Sequence, residues 1–209
     1  MKLTKEEYIN DPTGSSSLPF WKTNSFEMPS NIHVIRDDQY HGNKRGIDEP
    51  YFKLVNRLAD IKEQSLPNGF LLYGPSLEDF VKHINECYED IRVLNDELKK
   101  YEDRPTYRKS LWIGVKDIKT NKMVASIIGE VDQTISEGII EWLQVSKEYR
   151  RKGLASFIVN LLLTRMSSEC EFVTVSGQLH NNTHPYELYL SCGFISPVIW
   201  HIIRDEKNV

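Results

Sequence analysis

The sequence has few cysteines and no long hydrophobic run. Its three cysteines, Cys87, Cys170 and Cys192, lie far apart, and none belongs to a CxxC pair. This spacing predicts neither a zinc site nor a disulfide framework, so we expect no bound metal and a reducing compartment such as the cytoplasm. No stretch approaches the roughly 18 apolar residues that a membrane-spanning helix needs, and the first ten residues lack the apolar core of a signal peptide. We therefore expect no membrane partner.

Sustained positive charge is also missing. The chain has 26 Lys and Arg against 30 Asp and Glu, a net charge of −4. Because phosphate backbones are bound by clustered Lys and Arg, we expect no nucleic-acid partner. The motifs GxxxxGK[ST] and GxGxxG are absent, which excludes a P-loop or a Rossmann pyrophosphate site. With 209 residues, 40% of them hydrophobic, the chain can bury a sizeable core.

Hydrophobic periodicity predicts an α+β fold, in which helices and strands surround one mostly antiparallel sheet. Residues 1–30 are rich in turn formers and are predicted to be an irregular N-terminal extension docked on the domain. Residues 31–209 are predicted to form that single domain. The predicted strands are 31–36, 69–74, 110–117, 122–132, 138–145, 171–179 and 194–204. The predicted helices are 49–63, a long amphipathic helix from Ser76 to about Leu98, 153–166 and 185–192.

A short basic run stands directly before the helix predicted at 153–166. Arg150, Arg151 and Lys152 precede Gly153 in this run. The free backbone N–H groups of a helix start form an anion site, and three cations beside it favour a strongly charged anion such as a pyrophosphate. Gly153 and the small Ala155 would let phosphates approach the backbone. The alternative is a solvated charge cluster ahead of a core helix.

The order of motifs resembles the GNAT superfamily of acetyl-CoA-dependent N-acyltransferases. The strand "IIEWLQV" is followed by "SKEYRRKGLA", with R-x-x-G-x-A, and then by an amphipathic helix. Further along, "NTHPYELYLSCGF" is similar to the family's N-x-x-A-x-x-L-Y-x-x-x-G-F, with Pro185 in place of Ala. Lys152 stands where Gly is frequent, so a left-handed backbone there would cost about 1 kcal/mol. The resemblance is specific over 110–204 and implies a GNAT-like sheet with helices on both faces.

The resemblance also implies a cofactor site, with acetyl-CoA as co-substrate and no metal. Backbone groups of Leu143 and Val145 would pair with the pantetheine arm, as an added strand would. Asn182 would contact the same arm, and Tyr189 would reach the thioester sulfur. The residues implied at the pyrophosphate are Arg150, Arg151, Lys152, Gly153, Leu154, Ala155 and Ser156.

Two residues are predicted to be catalytic, Glu141 and Tyr189. An amine acceptor is mostly ammonium at neutral pH, so a base must remove a proton. Strand alternation places Glu141 with Leu143 and Val145 on an otherwise apolar face near the expected site, which favours it as the base. His201 and a water chain are the other candidates, although a lone histidine on an apolar face is more often structural. Tyr189 would donate a proton to the leaving thiolate.

Each catalytic residue has a structural alternative. Glu141 could be a structural carboxylate paired with an arginine or with backbone, and Tyr189 could be an aromatic that packs on the sheet. Cys192 has no histidine at motif distance, so direct transfer is preferred to a covalent acyl-enzyme.

The expected function is transfer of an acetyl group from acetyl-CoA to an amine of a small molecule or peptide through a ternary complex. One alternative is a catalytically inactive CoA-binding sensor or interaction module. Another is a protein whose basic loop docks an acidic partner. Polyamine, antibiotic, amino-acid and ribosomal-protein acceptors all remain open, and the net negative charge favours a cationic one. We expect a monomer or homodimer.

Overall fold

The computed structural model describes residues 2–23, 25–42, 46–89 and 91–205. Short 3-10 helices cover Asp37–Gln39 and Lys147–Tyr149. In chain order, the helices and strands of the described residues are α1 (Lys5–Asn10), α2 (Phe20–Thr23), β1 (Ile32–Arg36), β2 (Ile47–Asn56), β3 (Phe70–Tyr73), α3 (Leu77–Cys87), α4 (Asn95–Lys99), β4 (Tyr107–Asp117), β5 (Met123–Asp132), β6 (Glu137–Val145), α5 (Leu154–Met166), β7 (Phe172–Gln178), α6 (Pro185–Ser191) and β8 (Ile195–Arg204).

The chain divides into two compact units. The first consists of Met1–Arg57 with Thr174–Val209, and the second of Leu58–Val173. In the first unit the strand order is β1-β8-β2-β7, and β8 is antiparallel to both β1 and β2. In the second the order is β6-β5-β4-β3, with every neighbouring pair antiparallel. The predicted α+β fold with a mostly antiparallel sheet is therefore confirmed.

Helices cover both faces of the sheet in the second unit. Ile128 of β5 packs in one cluster with Phe80 and Ile84 of α3. The next residue, Gly129, lies so close to α5 that an added Cβ would come within 2.8 Å of Leu162 Cδ1. Because successive residues of a strand face opposite sides, α3 and α5 lie on opposite faces. The predicted arrangement of helices on both faces is confirmed here.

A buried lysine fixes the N-terminal residues within the first unit. The side chain of Lys53 on β2 is 1% exposed, and its ammonium donates to Tyr8 Oη at 3.0 Å. It also donates to the carbonyl oxygens of Ser16 at 2.9 Å and Leu18 at 2.7 Å. A buried ammonium is tolerated only when its donors are satisfied, so these contacts anchor the segment that contains α1.

Two predictions of secondary structure in the N-terminal part were wrong. Residues 1–30 contain α1 and α2, and α1 begins with a capping box between Thr4 and Glu7. The segment 49–63 was predicted to be helical, but Ile47–Asn56 is the strand β2. Residues 52–56 of β2 are all buried, so no two-residue alternation marks the strand. Periodicity alone cannot distinguish such a run from a buried helix. The assignment of 31–209 to a single domain stays a prediction.

The long helix predicted from Ser76 to about Leu98 is two helices. The capping box of Ser76 and Asp79 is present, but α3 ends at Cys87, where Tyr88 adopts extended backbone. The Asn85 side chain accepts from Val93 N at 2.8 Å and donates to Val93 O at 2.9 Å. These two bonds clamp the returning chain against α3 before α4 begins. Periodicity missed this break because apolar residues continue through the loop.

Candidate functional site

The basic run forms a loop between the 3-10 helix Lys147–Tyr149 and α5. Its backbone is left-handed at Arg151, with φ 60°, and at Gly153, with φ 79°. The energetic cost of a left-handed backbone, which was considered for Lys152, therefore applies to Arg151. An added Cβ at Gly153 would meet nothing closer than Pro67 Cγ at 3.8 Å. The backbone at Gly153 is thus open to a ligand.

The start of α5 offers three backbone N–H groups. The first helical hydrogen bond runs from Phe157 N to Gly153 O at 3.0 Å, so the N–H groups of Leu154, Ala155 and Ser156 precede it. The first turn contains no acidic residue. The Leu154 side chain is 1% exposed and packs in the core, so this residue can contribute only its backbone. This helix start suits an anion.

Three exposed cations surround that helix start. Arg150 Nε donates to the carbonyl of Val145 at 3.1 Å, which ties the loop to the end of β6. Lys152 Nζ lies 4.5 Å from the centre of the Tyr149 ring. Arg151 is exposed beside them. The structure therefore brings the predicted pyrophosphate residues together at one end of β6.

The last residues of β6 present backbone groups away from β5. Ser146 N donates to Val124 O at 2.9 Å. Because bonded and non-bonded residues alternate in an antiparallel ladder, Leu143 and Val145 direct their N–H and C=O groups away from β5. The carbonyl of Leu143 accepts a 3.1 Å hydrogen bond from Tyr88 Oη. These are the two residues that the resemblance assigns to the pantetheine arm.

Glu141 occupies a β-bulge. The register pairs Ile128 with Trp142 and Gly129 with Ile140, which leaves Glu141 as the extra residue of β6. A bulge bends the strand and changes the direction of its side chain. The alternation that was used to predict the face of Glu141 therefore fails at this position.

The carboxylate of Glu141 lies beside an arginine and a second carboxylate. Arg104 Nη1 is 3.7 Å from Glu141 Oε2 and 2.7 Å from Glu130 Oε1. Thr106 Oγ1 donates to the other oxygen of Glu130 at 2.8 Å. Burial, followed by the nearby charge of Glu141, raises the pKa of Glu130. Glu141 thus has the arginine partner that its structural alternative requires, and its role as the base stays a prediction.

A buried histidine lies under the end of β6. His83 of α3 is 1% exposed; its Nδ1 is 2.9 Å from Ser126 Oγ, and its Nε2 is 3.0 Å from Ser146 Oγ. Gln144 Nε2 donates to the same hydroxyl of Ser126. Burial lowers the pKa of His83 to about 4, so the ring is neutral at pH 7. We call the following side chains the polar layer: His83, Arg104, Ser126, Glu130, Glu141, Gln144 and Ser146.

Sequence reasoning missed Arg104, Glu130 and His83. The start of α3 at Ser76 was predicted correctly, and Ile84 was assigned to its apolar positions. His83 directly precedes Ile84, and this proximity to an apolar position was a usable signal for a buried histidine. Arg104 lies in a connecting segment, and its partner Glu130 is 26 residues away. No local pattern links those two residues.

Asn182 and Tyr189 belong to the first unit. Asn182 is exposed in a turn before α6, which Asn181 holds by accepting from Thr183 N at 2.8 Å. Tyr189 is 5% exposed and makes an edge-to-face contact with Phe194 at 5.4 Å. Its ring therefore packs as the structural alternative predicted, and its catalytic role stays a prediction.

His201, the other candidate base, is enclosed by carboxylates in the first unit. Its Nδ1 is 2.8 Å from Asp48 Oδ2, its Nε2 is 3.0 Å from Asp37 Oδ1, and its ring stacks on Tyr40 at 3.9 Å. Burial lowers the pKa of His201, but the hydrogen bonds to Asp37 and Asp48 outweigh it and raise the pKa overall. Both ring nitrogens are engaged, which favours the structural interpretation.

Residues 77–194 match the sequence model of the acetyltransferase (GNAT) family. The chain belongs to the GNAT acetyltransferase family. The match covers more than half of the chain and includes β6, the basic loop, α5 and α6. No curated protein sequence matches the chain significantly.

Solved structures of GNAT proteins share the fold. A GCN5-related N-acetyltransferase from Sphaerobacter thermophilus is 14% identical, with a TM-score of 0.66, over 91% of this chain and 66% of that one. A GNAT-family acetyltransferase from Colwellia psychrerythraea is 11% identical, with a TM-score of 0.58, over 82% and 64%. The ribosomal-protein-S18-alanine N-acetyltransferase from Escherichia coli is 14% identical, with a TM-score of 0.51, over 67% and 98%. This chain thus spans about two thirds of the first two structures.

GNAT proteins typically use acetyl-CoA. The open left-handed backbone at Gly153, the helix start without acids and the outward backbone groups of Leu143 and Val145 all lie where β6 leads into α5. Within the described residues, no cluster of three or more His, Cys, Asp or Glu could hold a metal ion. No helix in the same ranges combines the length and apolarity needed to cross a membrane.

Proposed function

We propose that this GNAT protein transfers an acetyl group from acetyl-CoA to an amine of a small molecule or peptide by direct attack in a ternary complex. The observation that carries the proposal is the junction of β6, the basic loop and α5, where cations and backbone donors meet. Acetyl-CoA supplies the acyl group as an activated thioester.

The cofactor-binding residues act in two groups. Backbone N–H groups from Arg151 to Ser156 would donate to the pyrophosphate, and the exposed cations Arg150, Arg151 and Lys152 would neutralise its charge. Backbone groups of Leu143 and Val145 would pair with the pantetheine arm, and Asn182 would contact the same arm. These contacts would fix the thioester at the end of β6.

Proton handling is assigned to Glu141 and Tyr189. Glu141 would accept a proton from the acceptor ammonium, which frees the amine for attack. The backbone N–H near Val145 would donate to the oxygen on which negative charge develops. The Tyr189 hydroxyl would donate the proton that the departing thiolate needs.

A cationic acceptor suits the chain best. The net charge of −4 favours a cation over an acidic acceptor. One structural neighbour carries the name of an enzyme that acts on an alanine of a ribosomal protein, so peptide N-terminal amines belong beside polyamines in any acceptor panel. Cys87, Cys170 and Cys192 form no disulfide with one another, which suits the proposed cytoplasmic location.

The test combines cofactor binding with turnover. A ligand that binds only the folded state adds about 2.7 kcal/mol of stability at a hundredfold excess over its Kd, so acetyl-CoA should raise the Tm. Release of free CoA thiol is then followed across the panel of amines. Saturable binding without acceptor-dependent thiol release would favour the inactive CoA-binding module. A millimolar excess of CoA that changes neither Tm nor calorimetric heat would overturn the cofactor site.

A further inference from the structure

The guanidinium of Arg104 lies between two carboxylates from neighbouring strands. Its Nη1 donates a 2.7 Å hydrogen bond to Glu130 Oε1 on β5, and the same nitrogen is 3.7 Å from Glu141 Oε2 on β6. The guanidinium also stacks on the ring of Tyr101, 3.2 Å from its centre. Arg104 is therefore held by contacts from three segments of the second unit.

The two carboxylates differ in how they contact this arginine. Glu130 is 1% exposed, and both of its oxygens accept short bonds, one from Arg104 and one from Thr106. The side chain of Glu141 is 9% exposed, and its Oε2 lies beyond hydrogen-bond length from Arg104 Nη1. Glu130 thus anchors Arg104, and Arg104 presents its charge to Glu141.

We infer that Arg104 is a positioning residue for Glu141, which keeps the Glu141 carboxylate ionised and directed from the bulge so that it can accept a proton. The inference rests on the proposed function, in which Glu141 is the base. Without a cation here, two neighbouring buried carboxylates would repel each other, and one would retain a proton at higher pH. Arginine suits this position because its planar fork stays charged and can face two acceptors at once.

Ionisable groups at or next to Glu141 come from four segments. Arg104, from the turn after α4, lies beside Glu141 and contacts Tyr101 of the same turn and Glu130 of β5. Tyr107 of β4 pairs with Glu130, and Tyr88 after α3 packs on Trp142, the neighbour of Glu141. Phenols titrate at alkaline pH, and burial raises the pKa of Tyr107 further. The acidic limb of a rate profile therefore reports the carboxylates, on which the charge of Arg104 acts.

The experiment measures kcat at saturating acetyl-CoA and acceptor across pH for wild type, Arg104→Gln and Arg104→Lys. In Arg104→Gln the acidic limb should move to higher pH by about one unit, which corresponds to a tenfold loss of rate below the limb. In Arg104→Lys it should move less, because a single ammonium keeps the charge but cannot face both carboxylates. KM for acetyl-CoA should stay unchanged in both variants.

Arg108 provides the matched control. It forms a 3.1 Å ion pair with Glu169 in the same unit, so Arg108→Gln and Arg108→Lys make the same charge changes away from Glu141. Neither control should move the acidic limb. If Arg104→Gln does not fold, as judged by circular dichroism, Arg104→Lys decides the matter. An acidic limb at the wild-type position in the folded Arg104 variants would overturn the inference.

Glu141→Gln in the same series tests the assignment of Glu141 as the base separately from the role of Arg104. If it retains wild-type kcat, the assignment of the base is wrong and the positioning role is overturned with it. If it loses activity while the Arg104 variants keep the wild-type profile, the base stands and the role of Arg104 is overturned.

Discussion

The basic loop and the polar layer both contact the end of β6, and they handle charge in opposite ways. In the loop, Arg150, Arg151 and Lys152 are exposed at a helix start that has no acidic residue. In the polar layer, Glu130 and His83 are each 1% exposed, and each has hydrogen-bond partners at both ends of its polar group. The loop therefore keeps its charge available to a ligand, whereas Glu130 and His83 are paired with other side chains of the layer or with Thr106.

This difference predicts different consequences of substitution. Exposed charges interact weakly with the rest of the protein and are screened by salt, so changes in the loop should affect ligand binding and leave stability intact. Buried polar groups have no water to replace a lost partner, so changes in the layer should affect stability, pH dependence or chemistry.

The largest effect is expected from a Glu→Gln substitution in the polar layer, compared with the same substitution on the exposed helix that precedes the loop. Glu141→Gln keeps the shape of the side chain but removes the proton acceptor, so kcat should fall between about 10²- and 10⁴-fold. Glu148→Gln, on the exposed 3-10 helix before the loop, should retain wild-type kcat. Initial rates of thiol release at saturating substrates measure both. Equal kcat for the two variants would assign Glu141 a structural role and leave a water chain as the base.

Acid should destabilise the protein through His83. Its folded-state pKa of about 4 lies below the unfolded value near 6.5, so the unfolded chain binds the proton first as the pH falls. The contribution is fully present above pH 6.5 and is lost between pH 6.5 and 4, by up to about 3 kcal/mol. Urea unfolding at several pH values should show this slope in wild type.

His83→Gln should flatten that slope, and His180→Gln, at an exposed position, should preserve it. If wild type and His83→Gln lose stability in parallel as the pH falls, the buried histidine is not the titrating group.

Tyr189 extends the comparison to a buried tyrosine outside the polar layer. Tyr189→Phe keeps the ring contact with Phe194, so stability should fall by no more than about 1–2 kcal/mol. If the hydroxyl protonates the leaving thiolate, kcat should fall roughly 10²-fold with little change in acetyl-CoA affinity. Tyr186→Phe on the same helix is the matched control and should keep wild-type kcat. A wild-type rate in Tyr189→Phe would remove Tyr189 from the reaction.

The smallest effect is expected in the loop. Arg151→Glu or Lys152→Glu should weaken CoA binding about tenfold at low salt, with a smaller difference at 0.5 M salt and an unchanged Tm in the absence of ligand. Lys119→Glu, in the exposed turn between β4 and β5, makes the same charge change as a control. Calorimetric titration measures each Kd. Equal affinities in the loop variants and the control would contradict the pyrophosphate site.

Most features of the basic loop could be predicted from the sequence. The cations, Gly153 and the first turn of α5 are neighbours in the chain, so their spacing already specifies a helix start with positive charge around it. The strands β4, β5 and β6 were also predictable, since turn-rich segments separate three apolar runs. The left-handed backbone whose cost was considered at Lys152 occurs instead at Arg151.

The polar layer could not be predicted in the same way, because its partners are distant in sequence. Arg104 and Glu130 meet only after β5 is paired, and the bulge that holds Glu141 exists only in the register between β5 and β6. Likewise, β2 was mistaken for a helix because its burial on both faces depends on its neighbours in the sheet.

The sequence by itself determined the family motifs, the basic loop and the order of the last strands and helices, because each depends on residues close together in the chain. Tertiary structure decided where α3 ends, which carboxylate anchors Arg104 and which way Glu141 points. Those features depend on burial and cross-strand pairing, which no local spacing encodes.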